Sequence, residues 1–168
     1  MISPEGRVVM ISGASRGIGL AVARNLYQAG FSLSLGVRNI EAMRKTVDDW
    51  DTSRVLISKY DAVDKETHKT WVDSTAERYG RIDGLVNNAA NNPKVEDNKN
   101  INFSQLENFP LKTWEQDIAV GLTGAWLCAK HFGSEIAKNK NGGSIVNISS
   151  DLGLIGPDQR IYKKKGVS

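Results

Sequence analysis

Residues 7–19, Arg-Val-Val-Met-Ile-Ser-Gly-Ala-Ser-Arg-Gly-Ile-Gly, constrain the fold of this chain more than any other stretch. Val8, Val9, Met10 and Ile11 form an apolar run without polar alternation, the pattern of a strand covered on both faces of a parallel sheet. Beyond three glycines, Ile18, Val22, Leu26 and Ala29 recur at helical spacing, which predicts an amphipathic helix packed on that sheet by one face. Gly13 permits the sharp exit from the strand, Gly17 lets backbone approach a ligand, and Gly19 lets the helix sit close to the strand. The unpaired amides of the first helical turn then face a negatively charged group, most simply a pyrophosphate.

The same alternation continues along the chain. Phe31 to Val37 reads as a second strand, and Arg38-Asn39 opens a helix through Ile40, Met43 and Val47 towards Trp50. At the end of the second strand of a dinucleotide-binding fold, an acid favours the free ribose of NAD and a base the 2′-phosphate of NADP. Here that position holds Arg38, with no acid. A third strand over 54–58 delivers Asp61 and Ala62 to the carboxyl edge of the sheet. The helix from Asp64 to Gly80 carries Trp71, Val72, Thr75, Ala76 and Tyr79 on one face, with Trp71 and Tyr79 expected in the core and His68 expected on the exposed side. A fourth strand over 82–86 delivers Asn87-Asn88-Ala89-Ala90 to the same edge, and residues 91–109, with six Asn and Pro93, form a long polar loop.

Pro110 to about Asn139 is predicted as the longest helix, striped by Trp114, Ile118, Leu122, Ala125, Ala129, Phe132 and Ile136. Trp126, Leu127 and Cys128 widen the stripe, which fits either association or an internal core. Gly121 inside this helix marks a local irregularity. A fifth strand, Ser144 to Ile148, leads into Ser149-Ser150-Asp151-Leu152-Gly153.

Ser12-Gly13-Ala14-Ser15-Arg16-Gly17-Ile18-Gly19, Asp61, Asn87-Asn88-Ala89-Ala90 and Ile145-Val146-Asn147-Ile148-Ser149-Ser150 together resemble the short-chain dehydrogenase/reductase family, in its order and at roughly its intervals. The glycine spacing is that family's Gly-x-x-x-Gly-x-Gly rather than the commoner Gly-x-Gly-x-x-Gly. Strand-helix alternation with right-handed crossovers predicts, in line with the resemblance, an α/β fold of Rossmann type: a doubly wound parallel sheet of five strands in the order 3-2-1-4-5, incomplete at its C-terminal end. The resemblance implies a cofactor site built from Gly13, Ser15, Arg16, Gly17, Ile18, Gly19, Arg38, Asp61, Ala62, Asn88, Ala89 and Ala90. Arg16 is the second basic residue that NADP users of the family carry, so NADP is the expected cofactor, ahead of NAD. It also implies an oxidoreductase moving a hydride between NADP(H) and a small carbonyl or alcohol, with the long helix in a homo-oligomer interface.

Ser150 occupies the family's substrate-binding serine position, and Tyr162 is the one tyrosine downstream of it. The family's Tyr-x-x-x-Lys is not intact, because Gly166 stands four residues after Tyr162 and Lys165 three. Two expectations follow for the catalytic tyrosine: Tyr162 itself, or a later residue with Tyr162 in an insertion, as in relatives that share the Gly-Leu-Thr-Gly and Ser-Ser-Asp-Leu runs. Gly121 stands where the family has an Asn that holds a relay water. The alternative to an oxidoreductase is therefore a catalytically incomplete nucleotide-binding or assembly module, a truncated chain.

With 168 residues, 40% hydrophobic, the expectation is a dinucleotide-binding domain over 1–150 followed by an irregular basic segment, 151–168. The net charge of +3 includes Arg160, Lys163, Lys164 and Lys165, without which the balance is −1, so charge does not point to nucleic acid. Cys128 is the one cysteine, which excludes an internal disulfide and a multi-cysteine metal site and fits a reducing, cytoplasmic setting. No apolar run reaches 18 residues, so no membrane span is expected, and with one cysteine and His68 expected at the surface nothing suggests a metal.

Overall fold

The computed structural model describes residues 4–91 and 106–156. β1 (Val8–Ser12) is buried along its whole length. Its alternate side chains enter different cores: Val9 and Ile11 join Leu33, Leu35 and Met43 on one face, whereas Met10 packs with Leu85, Trp71 and Phe132 on the other. A strand with water on neither face has no use for polar alternation, which accounts for its uniform apolar run.

The order is then α1 (Gly17–Gln28), β2 (Ser32–Val37), α2 (Ile40–Thr46), β3 (Val55–Lys59), α3 (Lys65–Tyr79), β4 (Gly84–Asn87), α4 (Leu111–Ile118), α5 (Gly124–Ile136) and β5 (Ser144–Asn147). The strands form one sheet, ordered β3-β2-β1-β4-β5, and every neighbouring pair is parallel. This is the expected doubly wound sheet, with α1 and α2 against one core and α3 and α5 against the other. Side-chain caps set the starts of two helices. Asn39 Oδ1 accepts from the Ala42 amide at 3.0 Å, and Asp64 Oδ1 accepts from the Glu66 amide at 3.1 Å. Gly80, with φ +72°, ends α3 in the left-handed conformation that a side chain disfavours.

Three sequence expectations shift. α2 stops at Thr46 rather than running to Trp50, whose ring instead stacks on Tyr27 with centroids 4.3 Å apart. His68, expected at the surface, is fully buried. It lies three, four and seven residues before Trp71, Val72 and Thr75, all buried, so helical periodicity places it in their stripe despite its polarity. The long helix is continuous from α4 to α5, but Ala119–Thr123, with Gly121 at its middle, is π-helical. Leu127, Cys128 and Phe132 turn into the core, which settles two of the three surplus apolar residues as internal. Leu111, Trp114, Ile118, Leu122 and Trp126 form an exposed stripe along the helix, and β5, the edge strand, is exposed at all four residues. Among the described residues no helix is long and apolar enough to cross a membrane.

Candidate nucleotide-binding site

The turn after β1 is held from three sides. The Gly13 amide donates to the Gly36 carbonyl of β2 at 2.9 Å. Ser12 Oγ, buried at the strand end, accepts from the Asn88 and Ala89 amides at 2.9 and 3.0 Å. Asn88 Nδ2 returns bonds to the Ser12 and Gly13 carbonyls at 3.0 and 3.2 Å. Asn88, expected as a cofactor residue, therefore uses its amide to clamp the glycine turn. Ser12 completes the clamp, a role the sequence reading did not assign. Gly13 and Gly17 have φ of +65° and +55°, both favouring glycine.

Gly19 answers to crowding rather than conformation: a Cβ there would lie 2.5 Å from Asn88 Nδ2 and nearer still to the Gly13 carbonyl oxygen. Ser15, Arg16, Gly17 and Ile18 are all exposed around the turn. Arg16 caps α1 without a side-chain hydrogen bond, and the first turn holds no acidic residue. First-turn amides with no competing carboxylate, beside a Gly17 whose Cβ position is open for 4 Å, fit the phosphates of a nucleotide.

At the neighbouring strand ends stand Arg38, exposed, and the Asp61-Ala62 turn. Asp61 Oδ1 accepts from the Val63 amide at 3.2 Å, which folds the turn on itself, while Asp64 caps α3. Ala62 is buried, and its carbonyl oxygen lies 3.1 Å from His68 Nε2. A carbonyl only accepts, so Nε2 carries the proton, and Nδ1 of the neutral ring accepts from the Cys128 thiol at 3.3 Å. The thiol sulfur in turn lies 3.4 Å from the Tyr60 hydroxyl. Burial holds the His68 pKa below its ordinary value and pushes the Cys128 thiol up to about 11, so both groups are neutral near pH 7.

A pH dependence follows. With its folded pKa depressed, His68 does not take up the proton that the unfolded chain binds below about pH 6.5. Stability is therefore unaffected by His68 above pH 7.5 and falls as pH drops through 6.5. Urea midpoints at pH 7.5 and 5.5 are expected to differ less in His68→Leu than in the parent; the ionisable groups that face His68 are Asp61, Asp64, His131, Cys128 and Tyr60. Equal differences would remove His68 as the cause.

A cleft of about 440 Å³ opens between α5 and the ends of β4 and β5, with Ser12, Tyr60, Ala90, Gly121, Trp126 and Ser149 on its walls. At its base, Asn87 Nδ2 donates to Asn147 Oδ1 at 2.9 Å and to the Ala125 carbonyl at 3.2 Å. The parallel register places Asn87 opposite Asn147, a pairing that two asparagines at corresponding strand ends could have signalled. Ser150 is exposed just beyond β5; its Oγ lies 3.1 Å from Asp151 Oδ1, and its carbonyl accepts from the Gly153 amide at 3.0 Å. The structure thus brings Gly13 to Gly19, Arg38, Asp61, Ala62, Asn88 to Ala90 and Ser150 to one edge of the sheet. Tyr162 lies outside the described residues, as does most of the 91–109 loop. Among the described residues no group of three or more His, Cys, Asp or Glu could hold a metal ion.

A family model described as short chain dehydrogenase matches residues 7–162. The chain belongs to the short-chain dehydrogenase/reductase family. It is 33% identical over 152 residues to an agropine synthesis reductase of Rhizobium rhizogenes, an alignment covering 89% of this chain and 32% of that protein. An uncharacterized oxidoreductase of Thermotoga maritima is 35% identical over 153 residues, covering 87% of this chain and 54% of the relative. A 7alpha-hydroxysteroid dehydrogenase of Paraclostridium sordellii is 32% identical over 148 residues, covering 87% and 53%. The chain spans between about a third and about half of the length of these relatives. Short-chain dehydrogenases/reductases bind NAD(P) cofactors, and the free amides at the start of α1 suit such a nucleotide.

Proposed function

We propose that the protein is an NADP-dependent oxidoreductase acting on a small carbonyl or alcohol. One observation carries the cofactor choice: Arg16 and Arg38 are both exposed at adjoining corners of the carboxyl edge, and no acid ends β2 to take the ribose hydroxyls. Two guanidinium groups there make charge-assisted contacts to a 2′-phosphate that NAD lacks.

In this reading the first-turn amides of Gly17, Ile18 and Gly19 hold the pyrophosphate, and the Asp61-Ala62 turn walls the adenine. Ala89 and Ala90 keep the edge narrow enough in side chain for ribose and nicotinamide to lie against backbone. The bound nicotinamide supplies or accepts the hydride. Ser150 Oγ, released from Asp151, donates to the substrate oxygen and so orients the carbonyl. Tyr162 is the candidate proton donor within these residues; with Gly166 four residues on, it has no lysine at the position that would lower its pKa.

Calorimetry is expected to give NADPH an affinity at least about tenfold above that of NADH, one charge-assisted contact being enough for that ratio. Arg38→Asp should reverse the order, since a carboxylate repels the 2′-phosphate and accepts from the free ribose. Equal affinities in the parent, or an unchanged preference in the variant, would overturn the NADP assignment.

A further inference from the structure

We infer that Lys59 is a third cation of the 2′-phosphate site and a determinant of cofactor preference, an inference that rests on the NADP reading above. Lys59 is the last residue of β3 and pairs in parallel register with Val37, the residue before Arg38. Its side chain is exposed at the carboxyl edge, and Nζ donates to the Arg38 carbonyl at 2.6 Å. That bond fixes the backbone from which the Arg38 guanidinium springs. It uses one of three ammonium protons, leaving two donors and the full charge.

The neighbouring backbone gathers the cations. The Gly13 amide ties the glycine turn to β2 through the Gly36 carbonyl, and the Tyr60 amide ties β3 to the Val37 carbonyl at 3.0 Å. Arg38 and Lys59 thus rise from the neighbouring ends of β2 and β3, and Arg16 from the turn between β1 and α1. Among the described residues the ion pairs are Arg44 with Glu41, Lys69 with Asp73, Arg81 with Asp83, and Lys138 with Glu135. None of them involves the three cations at this edge. The carboxylates nearest in sequence each hold another partner: Glu41 pairs with Arg44, Asp61 accepts from the Val63 amide and Asp64 from the Glu66 amide. Three cations outside those ion pairs and a helix N-terminus with no acid in its first turn form a field suited to a phosphate dianion. An ammonium on a flexible stem can turn from a neutral carbonyl to that dianion, because a charged acceptor makes the stronger bond.

Adenosine 2′,5′-bisphosphate and adenosine 5′-monophosphate differ only in the 2′-phosphate, so calorimetry with these two isolates the site from the rest of the cofactor. The parent is expected to prefer the bisphosphate. Lys59→Met is expected to weaken bisphosphate binding about tenfold while leaving the monophosphate within about twofold, and Lys59→Arg to retain most of the preference. Equal loss for both ligands would reduce Lys59 to a support of the turn and overturn the inference. An unchanged bisphosphate affinity in Lys59→Met, with the parent preference present, would overturn it while leaving the NADP reading intact. A parent with no preference would sink both. Circular dichroism of each variant confirms that the fold survives a change at an exposed position.

Discussion

Gly19→Ala is expected to abolish measurable nucleotide binding, with a loss beyond about thirtyfold, and to destabilise the fold by about 2 kcal/mol. The added methyl would meet Asn88 Nδ2 at 2.5 Å and press on the Gly13 carbonyl, the two groups that are hydrogen-bonded to each other. Neither yields easily. Gly13 carries the turn at φ +65°, with its own Cβ position 3.0 Å from the Ala89 backbone, and Asn88 is tied by amide and side chain to Ser12. Relief must come from moving the start of α1 away from the strand, which takes the first-turn amides out of register with a phosphate. Gly17→Ala provides the contrast. Nothing lies within 4 Å of its Cβ position, so its cost is conformational, about 1 kcal/mol at φ +55°, with no crowding of Asn88. Calorimetry and urea unfolding of both variants separate the two effects. A Gly19→Ala protein that binds NADPH within threefold of the parent would show that the close approach of α1 to the Asn88 clamp is not needed.

What could be read from the residues depended on whether one local pattern determined the outcome. β1 declared itself because a doubly covered strand leaves a continuous apolar run, and the order of the sheet followed from strand-helix alternation with right-handed crossovers. The glycine turn was legible because the backbone there needs glycine for separate reasons at Gly13, Gly17 and Gly19, which spacing alone preserves. The burial of His68 follows from position and not from residue type: the ring sits in the stripe of Trp71 and Thr75, and its polarity is satisfied by Ala62 and Cys128 from elements that only the fold brings near. The contacts of Ser12 and Asn147 were not legible from local spacing either; the Asn147 pairing shows only once β4 and β5 are set side by side. Their partners Asn88 and Asn87 are 76 and 60 residues away, and no local spacing encodes such contacts. Gly121 shows the middle case. A glycine in a helix announces an irregularity, but not that the turn there becomes π-helical.

Gly36→Ala should destabilise the chain by about 3 kcal/mol, and most of that should vanish when Trp71 is made smaller. Gly36 lies in β2 beneath the indole of Trp71, and an alanine methyl would stand 2.8 Å from Cη2 and Cζ2. A flexible side chain would swing aside. This ring cannot, because Trp71 is 1% exposed and its Nε1 donates to Ser34 Oγ at 2.9 Å. Ser34 Oγ also bonds Thr75 Oγ1 at 2.7 Å, and that hydroxyl lies 2.7 Å from the Trp71 carbonyl, closing a buried polar loop between β2 and α3. Moving the indole by the half ångström or more that the methyl demands stretches this loop, and leaving a buried donor unmet costs about 1–3 kcal/mol. Trp71→Phe sets its single ring next to Cβ and so removes the outlying atoms Cη2 and Cζ2 together with the N–H; Ser34 keeps Thr75 as its partner and the crowding at residue 36 is relieved. Urea unfolding of the two single variants and the double variant should give a coupling of about 2 kcal/mol, with Gly36→Ala costing under about 1 kcal/mol in the Trp71→Phe background. Additive losses would mean that the strand, not the indole, sets the requirement for glycine at residue 36.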